Sequence, residues 1–295
     1  MTILLLGAGL RLVWVRSVLE ALGALADPAS EVGPEIVVVE GPPTRERLVA
    51  LTDRPIDALV LVDHSPFADG AVPEAVGVAE AVRGEALRAS FALELARRAK
   101  RTLNLSGDDA KAWVAPLAAL LEARVPAEPP VSCPPAAPGT PFDTPLLHAY
   151  LQPLFAAPGR PPPLGLTWPR EAFLDGDAPG HTLPATVEVA GRARILAYGP
   201  YLPLPAGDWQ ATAFLGFSPD IGMLPFILEA DTGGAVVRGF FEVDRGGIFT
   251  LRLDFQVTDA LLPVELRLIS QDSALEGQLA LIEVELKQSS PTSAG

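Results

Sequence analysis

A single cysteine, Cys133, stands in 295 residues, which excludes an intramolecular disulfide and a cysteine-based zinc site. Basic side chains are also scarce: 22 Lys and Arg against 36 Asp and Glu leave a net charge of −14. Such a surface repels phosphate backbones and anionic headgroups, so neither nucleic acid nor a membrane surface is expected as a partner. The three histidines, His64, His148 and His181, lie far apart and offer no metal-ligand spacing. No G-x-S-x-G elbow and no internal repeat occur. The opening MTILLLGAGLRLVWVR is apolar, but Arg11 and Arg16 interrupt what would need to be about 20 apolar residues, and no basic region precedes the run. Neither a membrane span nor a signal peptide is expected, and the cysteine usage fits a reducing cytoplasm.

What is present suffices for two cores. The chain is 49% hydrophobic with a mean hydropathy of +0.30, and its charge is uneven, −4 over residues 1–125 and −9 over residues 166–295. Thr2–Leu6 is a continuous apolar run ending at Gly7-Ala8-Gly9, the pattern of a strand buried on both faces. Val15, Val18, Leu19, Leu22 and Leu25 recur at helical spacing over Arg11–Ala26. Strands follow at Glu35–Glu40, Asp57–Asp63 and Thr102–Ser106, with helices at Arg45–Leu51, around Leu87–Leu95, and over Asp108–Arg124 with a kink or new turn at Pro116. Strand and helix in alternation predict a small doubly wound, Rossmann-like parallel sheet over residues 1–125.

Residues 126–170 are dense in proline, including Pro129-Pro130, Pro134-Pro135 and Pro161-Pro162-Pro163, and read as a semi-rigid connector. Thereafter the period becomes two. Phe249, Leu251, Leu253, Phe255 and Val257 fall on one face while Thr250, Arg252, Asp254 and Gln256 fall on the other. Similar runs at Ala185–Ala190, Arg194–Tyr198, Trp209–Leu215, Ala235–Val243, Pro263–Ile269 and Leu279–Leu286, with Gly-rich turns between them, predict an antiparallel β-sandwich of jelly-roll type over residues 171–288. The polar tail, residues 289–295, reads as disordered. The fold class is thus α/β followed by all-β.

Gly7 and Gly9 supply two glycines of a dinucleotide fingerprint, and Glu40 ends the second strand where a ribose-binding acid often stands. Leu12 occupies the third glycine position and Glu40 lies far beyond the usual spacing, so the pattern specifies no cofactor, and a tight turn without ligand is the plainer account. Asp63 and His64 follow the third strand, where open α/β sheets place functional loops, and could act as a base and its orienting partner. Local capping and turn bonds are the alternative role for such residues. Tyr198, Tyr201 and Trp209 flank a Gly-Pro turn and a Pro-rich turn, with Asp208 beside them. Aromatic faces stack on sugar C–H surfaces and carboxylates accept from sugar hydroxyls, so these residues form a candidate glycan edge if exposed, and core if not.

Gly199-Pro200-Tyr201, Pro205-Ala206-Gly207, the strand led by Trp209 and the later Pro263-Val264-Glu265-Leu266-Arg267 resemble galactose-binding-like jelly-roll modules of bacterial cell-surface polysaccharide and glycosyltransferase proteins. The likeness covers about 100 residues of the second domain. It implies a module that contacts carbohydrate or another domain of its own protein and says little about the first domain, where analogy with doubly wound folds suggests an activated sugar donor and group transfer; a protein partner is also open. The alternative is a non-enzymatic adaptor or structural protein.

Overall fold

The computed structural model describes residues 1–7, 9–26, 34–39, 43–62, 78–105, 110–126 and 165–289. They divide into two compact units.

The N-terminal half alternates strand and helix: β1 (Thr2–Gly7), α1 (Gly9–Ala26), β2 (Glu35–Val39), α2 (Arg45–Thr52), β3 (Ala58–Val62), α3 (Val78–Arg98), β4 (Arg101–Leu105) and α4 (Val114–Leu120). The four strands form a parallel sheet in the order β2-β1-β3-β4. The central strands are buried on both faces, which is why their sequences are continuous apolar runs. Ile3, Leu5, Ala58, Val60 and Val62 join Val15, Val18, Leu19 and Leu22 of α1 and Val114, Leu117 and Ala118 of α4 in one core, while Leu4 and Leu59 are buried opposite. Trp14 and Trp113 pack at 6.3 Å between ring centroids, and the Arg11 guanidinium lies 5.1 Å from the Trp113 ring centroid. Pro116 sits in the first turn of α4, where its missing N–H costs nothing, and a 3₁₀ turn at Ala110–Trp113 precedes it.

The C-terminal half is a β-sandwich of jelly-roll type. After β5 (Gly165–Pro169), the two-residue β6 (Leu174–Asp175) and the two-residue β7 (Val187–Glu188) come seven full strands: β8 (Arg194–Pro203), β9 (Gly207–Phe217), β10 (Leu224–Asp231), β11 (Val236–Val243), β12 (Gly247–Val257), β13 (Pro263–Ser270) and β14 (Gln278–Gln288). One sheet has the order β11-β10-β13-β8-β6, the other β12-β9-β14-β5 with β7 also on β14, and every pairing is antiparallel. From β8 onward the chain changes sheets at every connection except the β10–β11 hairpin. Trp209, Ala211, Ala213, Leu215 and Phe217 of β9 face Phe226, Leu228, Leu266 and Leu268 of the other sheet across the core, with the Phe217 and Phe226 rings 5.2 Å apart. A void between the sheets, lined by Phe173, Ala213, Leu215, Leu228 and Leu266, measures about 10 Å³ and is too small for a ligand.

Three strands, β5, the two-residue β6 and β10, depart from the sequence expectation. β5 lies within the proline-rich stretch read as a connector. Leu166 and Trp168 alternate inward, and Pro169 is tolerated because β5 is an edge. β10 showed no alternation because Leu228, Glu229 and Ala230 are all buried and the outward Ile227 is apolar.

Gly7 is dictated by its neighbour strand: a Cβ there would lie 2.4 Å from the Val62 carbonyl oxygen. Gly7→Ala is therefore expected to destabilise the N-terminal unit by roughly 1–3 kcal/mol through overpacking. Urea titration measures it, and an unchanged midpoint would mean that β1 and β3 separate freely.

Candidate functional site

The sequence candidates in the N-terminal half follow its strands in sequence. Gly7 ends β1 and Gly9 opens α1, while Glu40 follows β2 and Asp63 and His64 follow β3. Strand order reverses between β1 and β3. Glu40, Asp63 and His64 lie outside the described residues, and Gly7 is already accounted for by the Val62 carbonyl. A cleft of about 580 Å³ opens elsewhere, lined by Arg97, Lys100, Arg101, Thr102 and Ala119 among others. Its cations are engaged: Arg97 with Glu94 at 2.9 Å, Lys100 with Asp57 at 2.6 Å, and Arg101 with the Leu120 carbonyl at 3.1 Å.

Of the two roles open to Trp209, edge or core, it takes the second. Trp209 is 1% exposed, on the inward parity of β9, and its indole N–H donates to the Pro205 carbonyl at 2.8 Å. Tyr198 and Tyr201 belong to the other sheet and come together through a bulge. Residues three apart on a regular strand face opposite ways, but Val264 pairs with Leu202 while Glu265 pairs with Pro200, so Tyr201 is the extra residue. Its φ of 64° is left-handed, a conformation costing roughly 1–3 kcal/mol for a side chain of this size. The result is an edge-to-face Tyr198–Tyr201 pair at 6.2 Å and a Tyr201 hydroxyl that donates to Glu265 at 2.8 Å.

That hydroxyl joins a closed network. Arg267 donates to Glu229 at 2.7 Å, to Asp231 at 3.3 Å and to Glu265, and Arg238 donates to the second oxygen of Glu229 at 2.5 Å. Burial and then the Glu265 carboxylate push the Tyr201 phenol up to about 12. Burial opposes ionisation of Glu229, but hydrogen bonds from Arg238 and then Arg267 outweigh it and hold the carboxyl below its usual range. The network clamps β8, β13, β10 and β11 together, spending the Arg267 guanidinium and the Tyr201 hydroxyl on protein carboxylates.

The outer face of the β12-β9-β14-β5 sheet differs. Register sets Asp208 beside Gln256, Gln210 between Asp254 and Lys287, Thr212 between Arg252 and Glu285, and Phe214 between Thr250 and Glu283. The Gln256 amide donates to Asp208 at 3.1 Å and the Gln210 amide to Asp254 at 2.8 Å. Each pair uses one donor and one acceptor, leaving the second carboxylate oxygen and the amide oxygen with unspent capacity. Phe214 sits half-buried at the end of this ladder. It was legible in principle, since it shares the parity of Asp208, Gln210 and Thr212. Among the described residues no group of three or more His, Cys, Asp or Glu could hold a metal ion, and no helix is long and apolar enough to cross a membrane.

No protein-family model and no curated protein matches the chain. Solved structures do. The CBM22-1–GH10 modules of Clostridium thermocellum endo-1,4-beta-D-xylanase 10B, complexed with xylohexaose, match at 10% identity over 43% of this chain and 28% of that one, with a TM-score of 0.28. This chain thus spans little more than a quarter of that structure. The CBM22-1 xylan-binding domain from Paenibacillus barcinonensis Xyn10C matches at 10% identity over 42% of this chain and 95% of its own, TM-score 0.30. TmCBM61 in complex with beta-1,4-galactotriose matches at 10% identity over 42% and 88%, TM-score 0.28.

Because the folded Glu229 carboxyl titrates below its ordinary value of 4.5, its contribution to stability is complete above that pH and is lost as pH falls through the folded value. Between about pH 5 and about pH 3, Glu229→Gln should therefore lose less melting temperature than the parent chain. Equal losses would show that the arginines do not stabilise the charged form.

Proposed function

We propose that the C-terminal sandwich binds carbohydrate on the outer face of the β12-β9-β14-β5 sheet. The observation that carries this reading is an outward ladder on β9 and β12 with the Phe214 ring at one end and two preformed amide–carboxylate pairs, Gln210–Asp254 and Gln256–Asp208, toward the other. A saccharide presents an apolar C–H face ringed by hydroxyls that donate and accept. A phenyl face meets the first, and carboxylates and amides with unspent capacity meet the second. The pairs also hold their side chains in place before binding, which lowers the ordering cost of association. From Gln256 to Thr250 the ladder runs about 20 Å, long enough for a short oligosaccharide. Tyr198 and Tyr201 are less suited, because the polar groups around them are already spent on one another.

A second reading concerns the N-terminal unit. The reversal of strand order between β1 and β3 favours a ligand at the carboxyl ends of those strands, consistent with a nucleotide or an activated sugar donor and with group transfer in surface-polysaccharide or glycoconjugate metabolism. A thermal-shift series with nucleotide sugars tests it: a native-state ligand at 100 times its dissociation constant adds about 2.7 kcal/mol. The absence of a shift with every donor would remove this reading and leave the adaptor alternative.

For the sandwich, titration calorimetry with short β-linked xylan and galactan oligosaccharides is the direct measurement. Phe214→Ala and Asp254→Ala should each weaken binding by roughly tenfold with little change in melting temperature, because both side chains stand on the outer face. Failure of every glycan to bind, or full affinity in Phe214→Ala, would sink the proposal.

A further inference from the structure

Among the described residues no strand pairs with the outer edge of β11, which ends its sheet. Val236, Arg238, Phe240 and Glu242 project from its outer face, and Phe240 is 68% exposed. The inward residues Val237, Gly239 and Phe241 are only half-buried, so the core itself is thinly covered along this side. The hairpin bond from the Thr232 N–H to the Ala235 carbonyl, at 3.0 Å, fixes which backbone groups are used. With the β10–β11 register unbroken, Val237, Gly239, Phe241 and Val243 turn their N–H and C=O groups to β10. Those of Val236, Arg238, Phe240 and Glu242 turn outward.

We propose that β11 pairs with β11 of a second copy of this chain, antiparallel and two-fold symmetric about Phe240, joining two five-stranded sheets into one of ten strands. An isologous contact must be self-complementary, and this sequence is so in that register. Phe240 meets Phe240 of the second copy, Arg238 stands opposite Glu242 on both sides of the axis, and the half-buried Phe241 lies across from Gly239, whose missing side chain leaves room for the ring. Centring on Arg238 or on Glu242 instead would set like charges against each other at the axis. Centring between two residues would set outward backbone groups against inward ones and lose the hydrogen bonds. Arg238 retains donors for the contact, since the bond to Glu229 uses only its Nε.

Among the described residues the other edges differ, although β12 also exposes an apolar side chain, Ile248, near its start. β5 carries Pro169, β6 has two residues, and the exposed face of β12 is polar from Thr250 to Gln256. β11 has neither proline nor lysine to discourage pairing, and its two charges are of opposite sign and symmetrically placed about an exposed phenyl.

Sedimentation velocity of the full chain across a concentration series is the test, with the expected species at twice the 31.0 kDa chain mass. Glu242→Arg should raise the dimer dissociation constant by about tenfold or more, since it faces Arg238 with a like charge. Phe240→Pro removes an outward N–H while leaving the β10 ladder intact and should yield monomer. A chain that stays monomeric at every concentration overturns the proposal, as does a dimer unaffected by both Glu242→Arg and Phe240→Pro.

Discussion

The two-residue period of β9 is the constraint on which the sandwich depends. β9 is central in its sheet, flanked by β12 and β14, and its inward set Trp209, Ala211, Ala213, Leu215 and Phe217 fills the space against the opposite sheet. Once those positions are committed, parity leaves Asp208, Gln210, Thr212 and Phe214 no choice but the outer face. Register then carries the same decision to Gln256, Asp254, Arg252 and Thr250 of β12 and to Lys287, Glu285 and Glu283 of β14. The polar ladder is thus a by-product of core packing, and what it adds is position: side chains at fixed strand spacing, two pairs of them locked by hydrogen bonds. A slip of one residue would expose Trp209 and bury Asp208, so core and outer face stand or fall together.

The opposite sheet solves a different problem. β10 and β13 place Glu229 and Glu265 where little solvent reaches them, and an unpaired carboxylate there would be costly. Arg267 offsets that cost by engaging three carboxylates, and the bulge at Tyr201 brings a phenolic donor to Glu265. The left-handed backbone at Tyr201 is tolerated because the ring and hydroxyl gain a neighbour and a partner that a regular strand would deny them. The cluster has the residue composition of a binding site, but its donors and acceptors are directed at one another.

The change from α/β to β-sandwich was legible from residues alone, because it rests on periodicity. Continuous apolar runs gave the strands of the parallel sheet, and alternation gave β12 and β14. What was not legible shares one cause: local pattern broken by tertiary context. β10 lost its alternation to the buried Glu229, whose partners Arg238 and Arg267 lie on other strands. Tyr198 and Tyr201 should face apart by spacing, and only the two-against-one pairing with β13 brings them together. Trp209 was ambiguous between edge and core because an aromatic at a strand start serves either role, and the parity of the residues after it decides. Phe214 went unselected although that same parity sets it among the polar residues.

Edge chemistry separates the two sheets further. A sandwich must end its sheets somewhere, and each end exposes backbone donors and acceptors unless proline, brevity or a covering segment intervenes. β5 and β6 carry the first two safeguards. β11 instead continues for eight residues, and its inner face leaves Phe241 stacked on Phe226 at 5.5 Å yet half-open to solvent. A strand that merely terminates a sheet needs no apolar residue at the centre of its outer face, and an isolated Phe240 there gains nothing from water. Arg238 already serves Glu229 through its Nε, but its remaining donors and Glu242, two residues to either side of Phe240, stand too far apart along the strand to serve each other. The exposed phenyl and Glu242 gain partners when the same strand runs past itself in reverse, which turns the spacing within one chain into contacts between two.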